Sequence, residues 1–175
     1  TLRCNVHCLH CGSDCVSSVT QPGMPAADFL KVIDEQITPN VNPHEVLIII
    51  SGGEPLMRKD LEEVGRALYD RGYPWGMVTN GLALTKERFA ALRKAGLRSL
   101  TISCDGLQED HLWLRQHPLA FEGATRAIRL AAADKGLTWD VVTCANQRNY
   151  PHLKEIREML WGMGVRNWRV FGIDP

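Results

Sequence analysis

Short apolar runs alternate along the chain with longer stretches whose apolar residues return every three or four positions. The short runs are EVLIII (45–50), WGMVTN (75–80), SLTISC (99–104), WDVVTC (139–144) and NWRVFGI (167–173). Each is rich in β-branched or aromatic residues, which predicts strands covered on both faces, as in a parallel sheet. The longer stretches predict helices. Ala26–Ile37 sets Phe29, Leu30 and Ile33 on one stripe, with Asp28 near the positive end of the helix dipole. Asp60–Tyr69 carries Leu61, Val64 and Leu68 on one side. Lys86–Ala95 follows Thr85, an N-cap residue, and precedes Gly96, a C-terminal stop. Phe121–Ala133 and Pro151–Trp161 complete the set, the latter with proline in its first turn.

The order is therefore a loop, a helix, then repeated strand–helix units closed by a strand. Such units join by right-handed crossovers and give an α/β fold with a parallel sheet, open or curled into a barrel. The chain opens directly in a cysteine loop and stops at Pro175, just after a strand. Both ends are expected to be cuts within a larger protein.

Composition narrows the function little, but it removes some classes. Twenty basic and twenty acidic residues cancel, so the chain carries neither a nucleic-acid footprint nor a polybasic membrane patch. No apolar run reaches the length of a membrane span, and no leader pattern precedes the first loop. The cytoplasm is the expected compartment.

The cysteines carry the chemistry. Of six, four fall at 4, 8, 11 and 15, while Cys104 and Cys144 stand alone at strand ends as candidate buried thiols. Thiols packed in one polar loop read as metal ligands rather than as a disulfide framework. Cys4, Cys8 and Cys11 supply three thiolates, which leaves one iron of a four-iron cubane open for a small molecule. With Cys15, His7 and His10 nearby, the loop alone also permits a structural zinc. Downstream, Ser51-Gly52-Gly53-Glu54-Pro55 follows the first strand, where paired glycines let backbone approach a ligand and a carboxylate can face an ammonium group. Thr79-Asn80-Gly81 ends the second strand and reads either as a simple turn or as a direct contributor to a site.

The C-x3-C-x2-C loop, followed by GGEP at the end of the next strand, resembles the radical SAM superfamily. That resemblance runs over nearly the whole chain. It implies a radical SAM core domain over residues 1–175, a partial (β/α)6 TIM-like barrel lacking its first strand and final helix. It implies that Cys4, Cys8 and Cys11 hold a [4Fe–4S] cluster whose open iron chelates S-adenosylmethionine. Reductive cleavage of the cofactor then yields a 5′-deoxyadenosyl radical, which abstracts hydrogen from a substrate.

The same resemblance carries residue roles. Gly52, Gly53 and Glu54 meet the methionyl amine. Ser103 of Ser103-Cys104-Asp105-Gly106 reaches the ribose or the carboxylate, and Asp105 does likewise or caps the next turn. Arg115 pairs with the cofactor carboxylate or forms a surface salt bridge, and Asn146 faces the cofactor. His10 occupies the position usually filled by a large aromatic and lies against adenine. Cys15 is a spare loop cysteine or a subgroup feature rather than a cluster ligand, so Cys15→Ala is expected to be tolerated where Cys8→Ala loses the cluster.

The DG…H…R…F stretch containing His111 and Arg115 is similar to the subgroup that carries a C-terminal SPASM extension. It implies a peptide or protein substrate, with a small molecule, as in cofactor or heme biosynthesis, still open. Implied partners are that substrate and an electron donor such as flavodoxin or ferredoxin, with no nucleic acid and no membrane. The competing readings are a non-catalytic zinc-binding α/β module and an Fe–S electron-transfer domain using all four loop cysteines.

Overall fold

The computed structural model describes residues 1–18 and 20–173. Asp174 and Pro175, which the sequence reading set after the last strand, lie outside them. Five strands form one sheet in chain order: β1 (Ile48–Ile50), β2 (Trp75–Thr79), β3 (Leu97–Ser103), β4 (Thr138–Ala145) and β5 (Trp168–Gly172). Every neighbouring pair is parallel. Sequential parallel strands need crossovers, and helices supply them. These are α2 (Leu61–Asp70), α3 (Lys86–Lys94), α4 (Gln108–Arg115) with α5 (Ala120–Ala133), and α6 (Leu153–Gly162). A further helix, α1 (Ala26–Val32), precedes the sheet.

One face of the sheet packs against the helices. Trp75, Met77, Leu100, Ile102 and Val141 point into that layer and are at most 1% exposed. There they meet Val64 and Leu68 of α2, Leu92 of α3, Ile128 of α5 and Ile156 of α6. The indole of Trp75 lies over Gly65 and donates from Nε1 to the Ala95 carbonyl at 3.1 Å. The opposite face is covered less. Val78, Thr101, Ser103 and Val142 are half-buried there, and Ile49 and Phe171 at the two sides are exposed. Strands buried on both faces, as the apolar runs suggest, describe β2 best and β5 least, because helices cover only one side.

Two predicted elements are reshaped. The first helix is α-helical only to Val32 and continues as a π-helical turn over Ile33–Ile37, where the Thr38 hydroxyl donates to the Ile33 carbonyl at 3.0 Å. The first strand is shorter than 45–50, since Pro43–Glu45 forms a 3₁₀ turn capped by the Asn42 side chain. One helix, α4, has no counterpart among the predicted ones. Its buried residues are Asp110, His111, Leu114 and Arg115, so the face it hides is mostly polar and leaves no apolar stripe to read.

Because all strands run the same way, their C-terminal ends share one edge. The segments Ser51–Pro55, Asn80–Gly81, Cys104–Gly106 and Asn146 emerge there together, the edge on which open and closed parallel sheets bind ligands. No helix among the described residues is long and apolar enough to cross a membrane.

Candidate active site at the strand ends

The glycine turn after β1 builds the site's floor. The Gly53 amide donates to the Thr1 carbonyl at 2.9 Å, and the Glu54 amide to the Arg3 carbonyl at 2.8 Å. Gly52 has φ +133°, and a Cβ there would come within 2.6 Å of the Thr1 carbonyl oxygen. At Gly53 a Cβ would fall still closer to the Arg3 carbonyl. What approaches the two glycines most closely is therefore the chain's own first three residues, seated beside the turn.

Glu54 is 1% exposed. Its Oε1 accepts from the Leu56 amide at 3.0 Å and the Thr79 hydroxyl at 2.7 Å, and its Oε2 from the Asn80 amide at 2.8 Å. Burial pushes this carboxyl up from its ordinary value, against those hydrogen bonds, which favour the charged form. The carboxylate that the sequence sets before a ligand's ammonium group is thus already held by three protein donors, although it still lines the cavity wall. Asn80 is both a turn residue and a site residue. Gly81 takes φ +77°, while the Asn80 Nδ2 donates to Asn5 Oδ1 at 2.8 Å and lies 3.9 Å from the Cys4 sulfur.

The cysteine loop folds over this floor and encloses a cavity of about 180 Å³ lined by Cys4, Cys8, Cys11, Cys15, Ser103 and Arg115, among others. The loop docks onto the C-terminal end of α4. The Leu9 amide donates to the Leu114 carbonyl at 2.9 Å and the His7 amide to the Arg115 carbonyl at 3.3 Å, satisfying carbonyls the helix leaves open. The Cys15 amide donates to the Cys11 sulfur at 3.4 Å. Burial raises the Cys4 and Cys8 thiols, and all six cysteines are free.

Beneath the loop sits a buried charge pair. Asp105 is 0% and Arg115 8% exposed, and the Arg115 Nε donates to Asp105 Oδ2 at 2.6 Å. Asp105 Oδ1 accepts from the Cys144 amide at 2.8 Å, and the Asp105 amide donates to His111 Nδ1 at 3.0 Å. The Arg115 Nη1 reaches the Cys8 sulfur at 3.5 Å. Burial alone would raise Asp105, but the guanidinium overrides it and holds the carboxyl below its ordinary value. Arg115 moves up despite its own burial, through Asp105 and Cys8. The surface salt bridge considered for Arg115 is therefore corrected: its partner is interior. Asp105 has both oxygens committed to protein donors, so it acts on the cavity through Arg115.

His10 links two spaces. It lines the cysteine cavity and also an adjacent one of about 590 Å³ with Leu9, Trp113, Asn146, Arg148 and Ile173. Its Nδ1 is buried with no hydrogen-bond partner among the described residues. Burial, then Arg115, lowers its affinity for a proton. Asn146 belongs to the second cavity, and its Oδ1 caps the following turn by accepting from the Arg148 amide at 2.9 Å. Thr79 and Asn80, which the sequence offers as either a turn or a direct contributor, both line the cysteine cavity; Asn5 carries no signal in the sequence.

The loop's donor set can be compared with what each metal requires. Tetrahedral zinc with thiolates at about 2.3 Å brings ligand sulfurs to about 3.8 Å from one another. Among the described residues, the one group of three candidate ligands whose atoms all lie within 4.8 Å is His10, Asp105 and Cys144. The four loop thiols are spread more widely than a zinc staple requires. Four thiols line one cavity, and three of them suffice for an iron–sulfur cubane that keeps one iron open.

The chain is similar to known proteins over its whole length. The family model described as the radical SAM superfamily matches residues 1–160. An AdoMet-dependent heme synthase of Methanosarcina barkeri is 33% identical over 177 residues, covering 100% of this chain and 49% of its own. One from Oleidesulfovibrio alaskensis is 29% identical, covering 100% of this chain and 44% of its own. The chain thus spans about half the length of these relatives. Among solved structures, Streptococcus suis SuiB bound to S-adenosylmethionine superposes with a TM-score of 0.78 at 17% identity, over 100% of this chain and 39% of SuiB. That likeness carries the fold, the α/β partial barrel expected from the sequence. With its family model matched over most of its length, the chain belongs to the radical SAM superfamily, whose cofactors are a [4Fe–4S] cluster and S-adenosylmethionine.

Proposed function

We propose that the full-length protein cleaves S-adenosylmethionine reductively and uses the product to abstract hydrogen from a heme precursor. The observation that carries the first half is the cavity in which Cys4, Cys8 and Cys11 face the Gly52–Glu54 turn across the strand ends. When bound, the cluster and S-adenosylmethionine supply one-electron cleavage chemistry.

The chain's own residues do the holding. Cys4, Cys8 and Cys11 ligate the cluster, with Cys15 left as a loop cysteine whose amide supports the Cys11 sulfur. Gly52, Gly53 and Glu54 form the wall for the methionyl amine, and Ser103 and Arg115 the wall for its ribose or carboxylate. His10, standing between the two cavities, would lie against adenine, with the larger space beside Asn146 available to the nucleoside end. Asp105 takes part by fixing Arg115. Together these spaces suit a cofactor of this size.

The substrate assignment rests on sequence kinship with proteins named AdoMet-dependent heme synthase. A heme precursor is a planar tetrapyrrole bearing carboxylates. The peptidyl substrate, with a SPASM-type extension, is the competing reading from the DG…H…R…F resemblance. Both readings require a one-electron donor of flavodoxin or ferredoxin type and a reducing, cytoplasmic setting.

The test is to reconstitute the full-length protein without oxygen, reduce it, and measure 5′-deoxyadenosine formed from S-adenosylmethionine. Iron coproporphyrin III, a tetracarboxylate, is expected to stimulate its formation and be consumed. No response to the porphyrin, with turnover on a peptide, overturns the heme reading; absence of S-adenosylmethionine cleavage with a loaded cluster overturns the whole proposal.

A further inference from the structure

We infer that Arg115, fixed by Asp105, sets the reduction potential of the cluster through the Cys8 sulfur, rather than serving only as a contact for the cofactor. The inference rests on the reading that Cys8 is a cluster ligand. Arg115 spends Nε on Asp105 Oδ2 at 2.6 Å and Nη1 on Cys8 Sγ at 3.5 Å. The pair is interior, so neither charge is screened by solvent. The two contacts use different nitrogens of the guanidinium, so binding Asp105 leaves Nη1 free to donate to the sulfur.

This arrangement is enforced from several directions. Asp105 is held by the Cys144 amide, while its own amide is read by His111. Arg115 is the last residue of α4, and its carbonyl accepts from the His7 amide, one residue before Cys8. The helix end that positions the guanidinium therefore also positions the ligand it touches. A buried ion pair is poor evidence for stability by itself. Here it makes a third contact to a ligand atom, and hydrogen bonds to ligand sulfurs are a main lever on iron–sulfur potentials. Donation from a cation stabilises the reduced, more negative cluster, which is the state that must be reached before S-adenosylmethionine can be cleaved. Arg115 is on this account a positioning residue, acting on the cluster through Cys8.

The experiment uses the full-length protein, reconstituted anaerobically, as wild type, Arg115→Gln, Arg115→Lys and Asp105→Asn. Iron and sulfide per chain are measured first, then the midpoint potential by EPR-monitored titration without S-adenosylmethionine, then the cofactor's dissociation constant. Arg115→Gln is expected to move the midpoint to more negative potential, with Arg115→Lys close to wild type. Asp105→Asn, which removes the opposing negative charge, is expected to move it the other way. A wild-type midpoint in Arg115→Gln, with only cofactor affinity weakened, overturns the inference and leaves Arg115 as a carboxylate contact. If Arg115→Gln fails to assemble a cluster, Asp105→Asn decides, and an unchanged midpoint there overturns the inference. A wild type that assembles no cluster at all fails the proposed function itself, a result distinct from either.

Discussion

The backbone amide of Asn80 donates to the Glu54 carboxylate at 2.8 Å in a setting where Glu54 is 1% exposed. This bond ties the turn after β2 to the turn after β1, and through the Asn80 side chain it continues to Asn5 in the cysteine loop. A predicted consequence follows for Glu54→Gln. An amide in place of one carboxylate oxygen sets donor against donor at the Asn80 amide or at the Leu56 amide, and an unsatisfied buried donor costs about 1–3 kcal/mol. The variant is expected to unfold at lower temperature and to retain less iron per chain after reconstitution. Unchanged melting and iron content would contradict the role given to this bond.

Gly53→Ala tests the seat of the loop separately from the fold. The added methyl would strike the Arg3 carbonyl, so residues 1–3 must shift. Loss of most bound iron with near-normal far-UV circular dichroism is the expected result. Gly65→Ala is the contrasting case, because its methyl would strike the buried Trp75 ring. Overpacking of that kind costs about 1–3 kcal/mol, more than the roughly 1 kcal/mol that alanine gains over glycine in a helix. That variant should lose global stability, read by thermal or denaturant unfolding.

Protonation of His111 provides a pH signature. Burial lowers this imidazole from an ordinary 6.5 to about 4, and its Nδ1 already accepts from the Asp105 amide. Between those two values the unfolded chain binds a proton that the folded chain refuses. Stability is therefore expected to fall as pH drops from 6.5 toward 4, with a slope from this group of up to about 1.4 kcal/mol per pH unit. Asp105, held below 3.8, titrates beneath that window. Denaturant unfolding of His111→Gln across the window should show a flatter dependence than wild type; equal slopes would remove His111 as the cause.

Much of the sheet could be read from sequence because apolar runs and capped amphipathic stretches report on burial against helices. Thr85 caps α3 as its position suggests, accepting from the Arg88 amide at 3.2 Å. Legibility failed where the buried surface is polar. Helix α4 hides Asp110, His111 and Arg115, and no hydropathy period marks such a face. The glycines after β1 were legible as a close approach, but not which group approaches, since the first three residues and the turn are fifty positions apart in the chain. Arg115 illustrates the same limit. Its spacing from Asp105 implied nothing about depth, and only the packing of α4 beneath the cysteine loop makes the pair interior.

The central claim, that Cys4, Cys8 and Cys11 hold a cluster with an open iron beside a cofactor pocket, is tested most directly by EPR of the reduced, reconstituted full-length protein. Spectra are recorded with and without S-adenosylmethionine. The account predicts a [4Fe–4S]⁺ signal that shifts when S-adenosylmethionine is added, because the cofactor chelates the iron that three cysteines leave free. A cluster signal that ignores S-adenosylmethionine, or zinc bound in its place, would contradict it.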